Sequence, residues 1–453
     1  MKMKKAIAMV LAFTMVMAML VGCGAPKEEA QKEEAPKEEA ATETQSSAAE
    51  VTEEDITITM MWSGTAAEND FELDVLPKLV KEAFPNITLE VTKLPDDQYY
   101  TALKTRLASG ECADMILTQP KYAGSNSVIG LAKAGYLEPL NGMDVLNLVS
   151  ESSWDAYAYD GGVYAMPATI STLGTFYNKD VFEEHGLSIP QNWPEFLDVC
   201  KTLKEAGVQP IVMGDKDMYV MQFGLYQIAA NQVYPKNPAF DDQLRTGETK
   251  FTDDGTWNKV LDMYKTLYDN EYIESSSLGL GAQQAIQKFV DGDAAMTFDG
   301  NFNAAPISAQ GAAEFERGYF PLPGNDEGEE LYAAISAGGG PSIYSGSKYI
   351  NECKAIMELW FDGESDIWRA YIDSGRYIPA YGYGVDAVNP FFTEFVKLYG
   401  EGKSFYWCNQ AWPAGTENEM QALLSETIGG QGTTVDDIVN GMQNKFEELY
   451  VED

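Results

Sequence analysis

Between residues 56 and 117 the apolar positions switch between a strand period and a helix period. Ile56 to Trp62, ITITMMW, alternates and then runs continuously apolar, a pattern of a buried strand that stops at Ser63, Gly64 and Thr65. Helix signals occupy Glu72 to Phe84 and end at Pro85 and Asn86; a strand pattern follows over Thr88 to Thr92. Tyr99 to Ser109 predicts a second helix closed by Gly110, and Ala113 to Leu117 a third strand. Strand, helix, strand, helix, strand is the order of a parallel α/β sheet with crossover helices. Ligands of such sheets sit beyond the carboxyl ends of the strands, which makes Trp62, Ser63, Thr118 and Gln119 candidate contacts. Trp62 suits equally well a core residue capping the sheet.

Further along, Val163 to Met166 and Leu173 to Tyr177 predict two strands in line, joined by an elbow that contains Pro167 and Ser171. Such an elbow near the middle of a long chain suits a hinge between two lobes. Asn192 and Glu195 have capping-box spacing, and Phe196, Val199, Cys200 and Leu203 share one helical face. Gln209 to Met213 predicts another strand; Asp215, Asp217 and Tyr219 in its following loop hold the place in the second half that Trp62 holds in the first. Gly292 to Phe302, GDAAMTFDGNF, predicts a strand followed by a turn with two hydroxyl-bonding side chains, Asp299 and Asn301, and a ring, Phe302. The same turn also suits a simple Asp-Gly-Asn reversal with a core phenylalanine. Gly338, Gly339 and Gly340 permit close backbone approach, as a hinge or as a plain loop. Thr434 caps a last helix whose Ile438, Val439, Met442, Phe446 and Leu449 keep helical spacing.

The first residues change the picture of where the chain works. Lys2, Lys4 and Lys5 precede an apolar run from Ala6 to Val21, so residues 1–22 are expected to be a secretory signal peptide. Leu20, Val21, Gly22 and Cys23 resemble a bacterial lipobox, which implies cleavage before Cys23 and its acylation, palmitate included. Several acyl chains at roughly 0.8 kcal/mol per buried methylene make a stable anchor. Residues 23–55 repeat KEEA at Lys27, Lys32 and Lys37 and are poor in large aliphatic residues, so they are expected to stay disordered as a tether.

Composition then removes whole classes of function. A chain of 453 residues exceeds what one core normally serves, so two domains are expected. Seventy acidic against 31 basic residues give a net charge of −39, which repels nucleic acid. The only arginines, Arg106, Arg245, Arg317, Arg369 and Arg376, leave few groups for a bidentate grip on an anion, which favours a neutral ligand. With His185 as its single histidine, the chain holds no His-based triad and no two-histidine metal site. Gly402, Lys403 and Ser404 lack the phosphate-loop glycine, since position 397 is Lys397. No metal and no cofactor is expected. Cys112, Cys200, Cys353 and Cys408 allow three disulfide pairings or four free thiols.

Several ordered stretches carry a resemblance. GVYAMP and TFYNKD, followed by IPQNWPEFLDVCKTLKEAG, GDAAMTFDGNF, FPLPG, ISAGGGP and GRYIPA, resemble the extracellular solute-binding proteins of ABC transporters, in particular the carbohydrate-binding group. The resemblance implies an α/β fold of two lobes, each a mostly parallel sheet flanked by helices, with a ligand cleft at the hinge. It implies that GDAAMTFDGNF returns the chain to the first lobe and that ISAGGGP crosses into the second. The first lobe is then residues 56–168 plus 299–337, and the second residues 169–298 plus 338–453. It also implies aromatic stacking by Tyr219, Phe302 and one of Trp407 and Trp412, with Ser171, Gly339 and Arg376 as further ligand contacts. The expectation is a non-enzymatic monomer, lipid-anchored to the outer face of the cell membrane. It captures a neutral oligosaccharide and passes it to the permease subunits. Rivals are a receptor for a polyamine or peptide and a surface glycan hydrolase.

Overall fold

A computed structural model describes residues 51–450 except 65, 67–68, 121–126, 149–153, 168, 309–313, 375–377, 380–389, 407–411 and 414. Cys23, Arg376, Trp407 and Cys408 lie outside the described residues.

The first sheet forms as the hydrophobic pattern requires. β1 (Ile56–Ser63) runs parallel to β2 (Ile87–Leu94) in a register from Ile56 opposite Ile87 to Ser63 opposite Leu94. β3 (Met115–Thr118) joins its other edge in parallel, through Met60 opposite Met115. The helix Leu76–Ala83 follows a wider turn over Phe71–Val75, because the Asp70 carboxylate accepts from the amides of Glu72 and Leu73 at its start. The helix Asp96–Ser109 ends on Gly110 at φ 72° and presents Tyr99, whose hydroxyl donates to the Leu117 carbonyl at 2.7 Å. A short hairpin, β4 (Ala158–Tyr159) with β5 (Gly162–Val163), precedes the crossing.

β6 (Thr169–Asn178) is the strand on which the second lobe is built. β7 (Met296–Gly300), β8 (Arg317–Phe320) and β9 (Ala333–Ala337) all pair with it antiparallel. The chain then passes through Gly338 and Gly339 into β10 (Gly340–Ile343), which pairs antiparallel with β3 in the first sheet. β11 (Ile378–Pro379) returns to pair with β6 at Ile170 and Thr169, and β12 (Ser404–Tyr406) runs parallel to β9.

This topology corrects two expectations. The chain does not cross at residue 299: Met296, Phe298 and Phe320 pack in one core with Phe196, Tyr264 and Trp257, and Phe176 with Tyr319. It crosses at Gly338, and the helices Ile350–Trp360 and Asp366–Asp373 then bury Trp360 and Trp368 in the core of β1, β2 and β3. Residues 299–337 therefore belong to the second lobe and residues 340–373 to the first. The second lobe is also not mostly parallel, since every ladder on β6 is antiparallel. The predicted strand at Gln209–Met213 makes only single parallel bridges, from Ile211 to Ile273 and Met296, beside a proline that has no amide hydrogen to donate.

The crossing needs its glycines. A Cβ on Gly338 would lie 2.0 Å from Thr169 Oγ1, and one on Gly340 would lie 2.1 Å from the Met166 carbonyl oxygen. Met166 donates to the Pro341 carbonyl at 3.0 Å and Gly338 to the Thr169 carbonyl at 2.8 Å, so the two connecting segments run side by side. Cys112, Cys200 and Cys353 are free thiols; Cys200 and Cys353 sit in the cores of different lobes.

Candidate ligand-binding site

Two of the ring residues expected from sequence come together in the second lobe. Tyr219 and Phe302 are 44% and 38% exposed, and both pack edge-on against the buried Phe223, with ring centroids 5.9 Å apart in each case. The described residues include few large apolar side chains this exposed, and Met218 adjoins Tyr219 in the chain. Sequence reasoning missed Phe223; its signal was its place four residues after Tyr219, in the first turn of the helix Gln222–Gln232.

Each ring is held by its own local structure. Asp217 accepts from the Ala282 amide at 2.8 Å, and its own carbonyl takes the Val220 amide, which fixes the turn carrying Tyr219. Asp215 is buried beneath, receiving the Tyr268 hydroxyl at 2.7 Å; burial pushes its carboxyl above the usual range. Phe302 lies over Gly300, where a Cβ would come within 2.0 Å of the ring, so glycine at 300 is a condition of that ring position. Asp299 is only 5% exposed, and its Oδ1 accepts from the Gly300 amide at 2.7 Å and from Asn303 Nδ2 at 2.9 Å. Asn301 is 1% exposed and is bonded to the backbone of β6 at Ile170 and Thr172. Asp299 and Asn301 therefore build the turn under Phe302.

The first lobe contributes a more buried set. Trp62 is 6% exposed and packs on Trp360 at 5.8 Å, the core alternative left open by the sequence. Ser63 is buried at the end of β1. Thr118 is fully buried, its Oγ1 2.7 Å from Ser342 Oγ; Gln119 is half-buried and donates to the Tyr100 hydroxyl. Gly339 faces Leu117 and Thr118 of β3, and Ser171 is half-buried opposite Ser336 at the start of the second sheet. Trp412, by contrast, is a core residue. It is 2% exposed, its rings meet Phe251 at 4.8 Å and Trp257 at 5.1 Å, and its Nε1 donates to Asp241 at 3.0 Å.

A buried ionic cluster at the ends of β1 and β2 was not anticipated. Lys93 Nζ lies 2.8 Å from Asp70 Oδ2 and 2.8 Å from Glu72 Oε2, with all three side chains almost wholly out of solvent. Two carboxylates on one ammonium are tolerable there because Asp70 also receives backbone amides. The available signal was a lysine ending a strand beyond a helix start with two acids.

A family model described as bacterial extracellular solute-binding protein matches residues 72–361, more than half of the chain. The chain belongs to that family. Among the relatives of this solute-binding protein is the multiple sugar-binding protein of Streptococcus mutans, 26% identical over 373 residues, covering 81% of this chain and 85% of the relative. The maltodextrin-binding protein MdxE of Bacillus subtilis is 23% identical over 391 residues, with 81% and 85% covered. Solved structures share the fold: the binding protein RafE in complex with raffinose superposes with a TM-score of 0.71 at 22% identity, over 87% of this chain and 100% of that one. A sugar transporter protein of Bacillus licheniformis in complex with stachyose gives 0.68 at 17% identity, over 87% and 100%. Among the described residues, no helix of the solute-binding protein is long and apolar enough to cross a membrane.

Proposed function

We propose that this protein is the carbohydrate receptor of an ABC importer. It captures a neutral oligosaccharide between its two lobes by hinge closure and delivers it to the permease subunits. The observation that carries the reading is the pair of exposed rings, Tyr219 in the turn before the helix Gln222–Gln232 and Phe302 just past β7, both standing on Phe223. An aromatic face left in solvent on a rigid support suits the C–H face of a sugar ring, and covering it is favourable without any charge on the ligand. The names of the relatives, multiple sugar-binding and maltodextrin-binding, point the same way.

In this reading the half-buried Gln119 and Ser171, with Ser63 at the end of β1, order hydroxyls, while the fully buried Thr118 ties β3 to β10 through Ser342. Trp62 and Gly339 shape the first-lobe side, and Arg376 and Trp407, outside the described residues, are further candidate contacts. Asp299 and Asn301 serve through Phe302. Cys23 is the acylated anchor and residues 24–50 the tether, shorter than expected because Thr52 and Glu54 are already bonded to the first lobe through Glu352 and Asn86; the protein acts as a monomer on the outer face of the membrane, without catalysis. Closure follows from contacts made to both lobes at once. Titration calorimetry with raffinose, stachyose, maltotriose and xylotriose tests the proposal on wild type, Tyr219→Ala and Phe302→Ala. The expected result is saturable binding of one saccharide class, weakened by both substitutions. Binding unaffected by either substitution would place the site elsewhere.

A further inference from the structure

The ladder between β6 and β7 ends at Leu173 opposite Gly300. Beyond that point β9 pairs with one edge of β6 from Ile170 to Thr172, and β11 takes up Ile170 and Thr169. The backbone groups left between β7 and β11 are met by a side chain. Asn301 Oδ1 accepts from the Thr172 amide at 2.9 Å, and its Nδ2 donates to the Ile170 carbonyl at 3.1 Å. A carboxamide offers one acceptor and one donor side by side, as a strand residue does, so Asn301 extends the sheet without extending the strand. Tyr319 reinforces the same joint: its hydroxyl lies 3.2 Å from the Thr172 carbonyl and 3.1 Å from the Asp299 carbonyl.

What Asn301 joins is informative. On one side is the turn that carries the exposed ring of Phe302, the very next residue. On the other is the segment of β6 that lies against Ala337 and Ser336, immediately before the glycines at which the chain crosses between lobes. We propose that Asn301 is the positioning residue that couples ligand contact at Phe302 to the crossing segments. Through its two backbone bonds, a sugar that settles on the Phe302 ring also orders residues 169–172 and, across the ladder, residues 335–340. The inference rests on Phe302 being a ligand contact, as proposed above. It goes further in assigning Asn301 to lobe movement and not to sugar hydroxyls.

Amide hydrogen exchange on the full chain, with and without raffinose, stachyose, maltotriose and xylotriose, tests it. In wild type the bound saccharide is expected to slow exchange both in the peptide containing Phe302 and in the peptides covering 169–172 and 335–340. In Asn301→Ala the Phe302 peptide keeps its protection at saturating sugar while the crossing peptides lose theirs. Asn301→Asp, which keeps the acceptor for Thr172 and loses the donor for Ile170, falls between. It supplies the answer if the alanine variant does not fold. Equal protection of the crossing in wild type and both variants overturns the proposal. If none of the four saccharides binds wild type, the carbohydrate reading is what has failed, and the ligand-free proteins decide the coupling. Phe302→Ala is then expected to speed exchange at 169–172 by about tenfold in the Asn301 background and to add nothing in the Asn301→Ala background. Additive changes overturn the coupling.

Discussion

Asp241 offers a prediction that depends on no ligand. Asp241 is a half-buried residue whose carboxyl accepts from Trp412 Nε1 at 3.0 Å and from the Tyr234 hydroxyl at 3.1 Å, two rings of the second-lobe core. Burial outweighs these bonds and the nearby Arg245, and pushes the carboxyl up to about 7. In the unfolded chain the same group titrates near ~3.9. Between the two values the native state holds a proton that the unfolded state has released, so stability falls as pH rises. The contribution is fully present below about pH 4 and gone above about pH 7, a span of roughly three pH units at about 1.36 kcal/mol each, or about 4 kcal/mol in all. Asp241→Asn keeps an acceptor for both partners and removes the titration. Urea unfolding of wild type and variant from pH 4.5 to 8 is the assay; taking their difference cancels the background of the other acids. The variant's advantage is expected to grow steadily toward pH 7 and then level. A difference that stays flat across this range would refute the argument that a protonated carboxyl holds Trp412.

Other substitutions have expected outcomes of their own. Lys93→Met leaves Asp70 and Glu72 buried without their cation and is expected to cost about 3–5 kcal/mol in unfolding free energy; a cost under about 1 kcal/mol would mean the cluster is hydrated. Gly340→Ala places a Cβ 2.1 Å from the Met166 carbonyl and is expected to lower stability by about 1–3 kcal/mol, with faster exchange at 166–169; an unchanged midpoint would show that the crossing yields easily. Phe302 is 38% exposed, so covering roughly 75 Å² of a side chain of about 200 Å² is worth about 2 kcal/mol at ~25 cal/mol per Å². Phe302→Ala is therefore expected to weaken saccharide binding about 30-fold by calorimetry, and an unchanged affinity would remove it from the site.

What the sequence made legible was local. β1, β2 and β3 and their helices follow from periodicity and capping, because each signal lies within a dozen residues. Phe302 was also accessible, as a ring just past a strand end where ligands of such sheets sit, and Tyr219 as an aromatic in the loop after an apolar run. The exchange between lobes was not. β7 and β9 are both short and wholly or largely buried, and nothing in either composition says that both pair with β6 while β10 pairs with β3. The three glycines marked a crossing correctly, but their direction depends on partners more than 150 positions upstream, Thr169 and Met166. Trp412 illustrates the same limit: an indole that looked available for stacking has its nitrogen held by Asp241, 171 positions away. Asn301 was read as a hydroxyl-binding amide, and an amide bonds a backbone edge equally well.

Capture of a neutral oligosaccharide is open to a test by thermal unfolding against a panel of neutral oligosaccharides, polyamines and peptides. A ligand present at 100 times its dissociation constant stabilises by roughly 2.7 kcal/mol, enough to move the midpoint. A shift produced by one class of neutral saccharide, and reduced in Phe302→Ala, is the predicted result. A shift produced only by polyamines or peptides would contradict it.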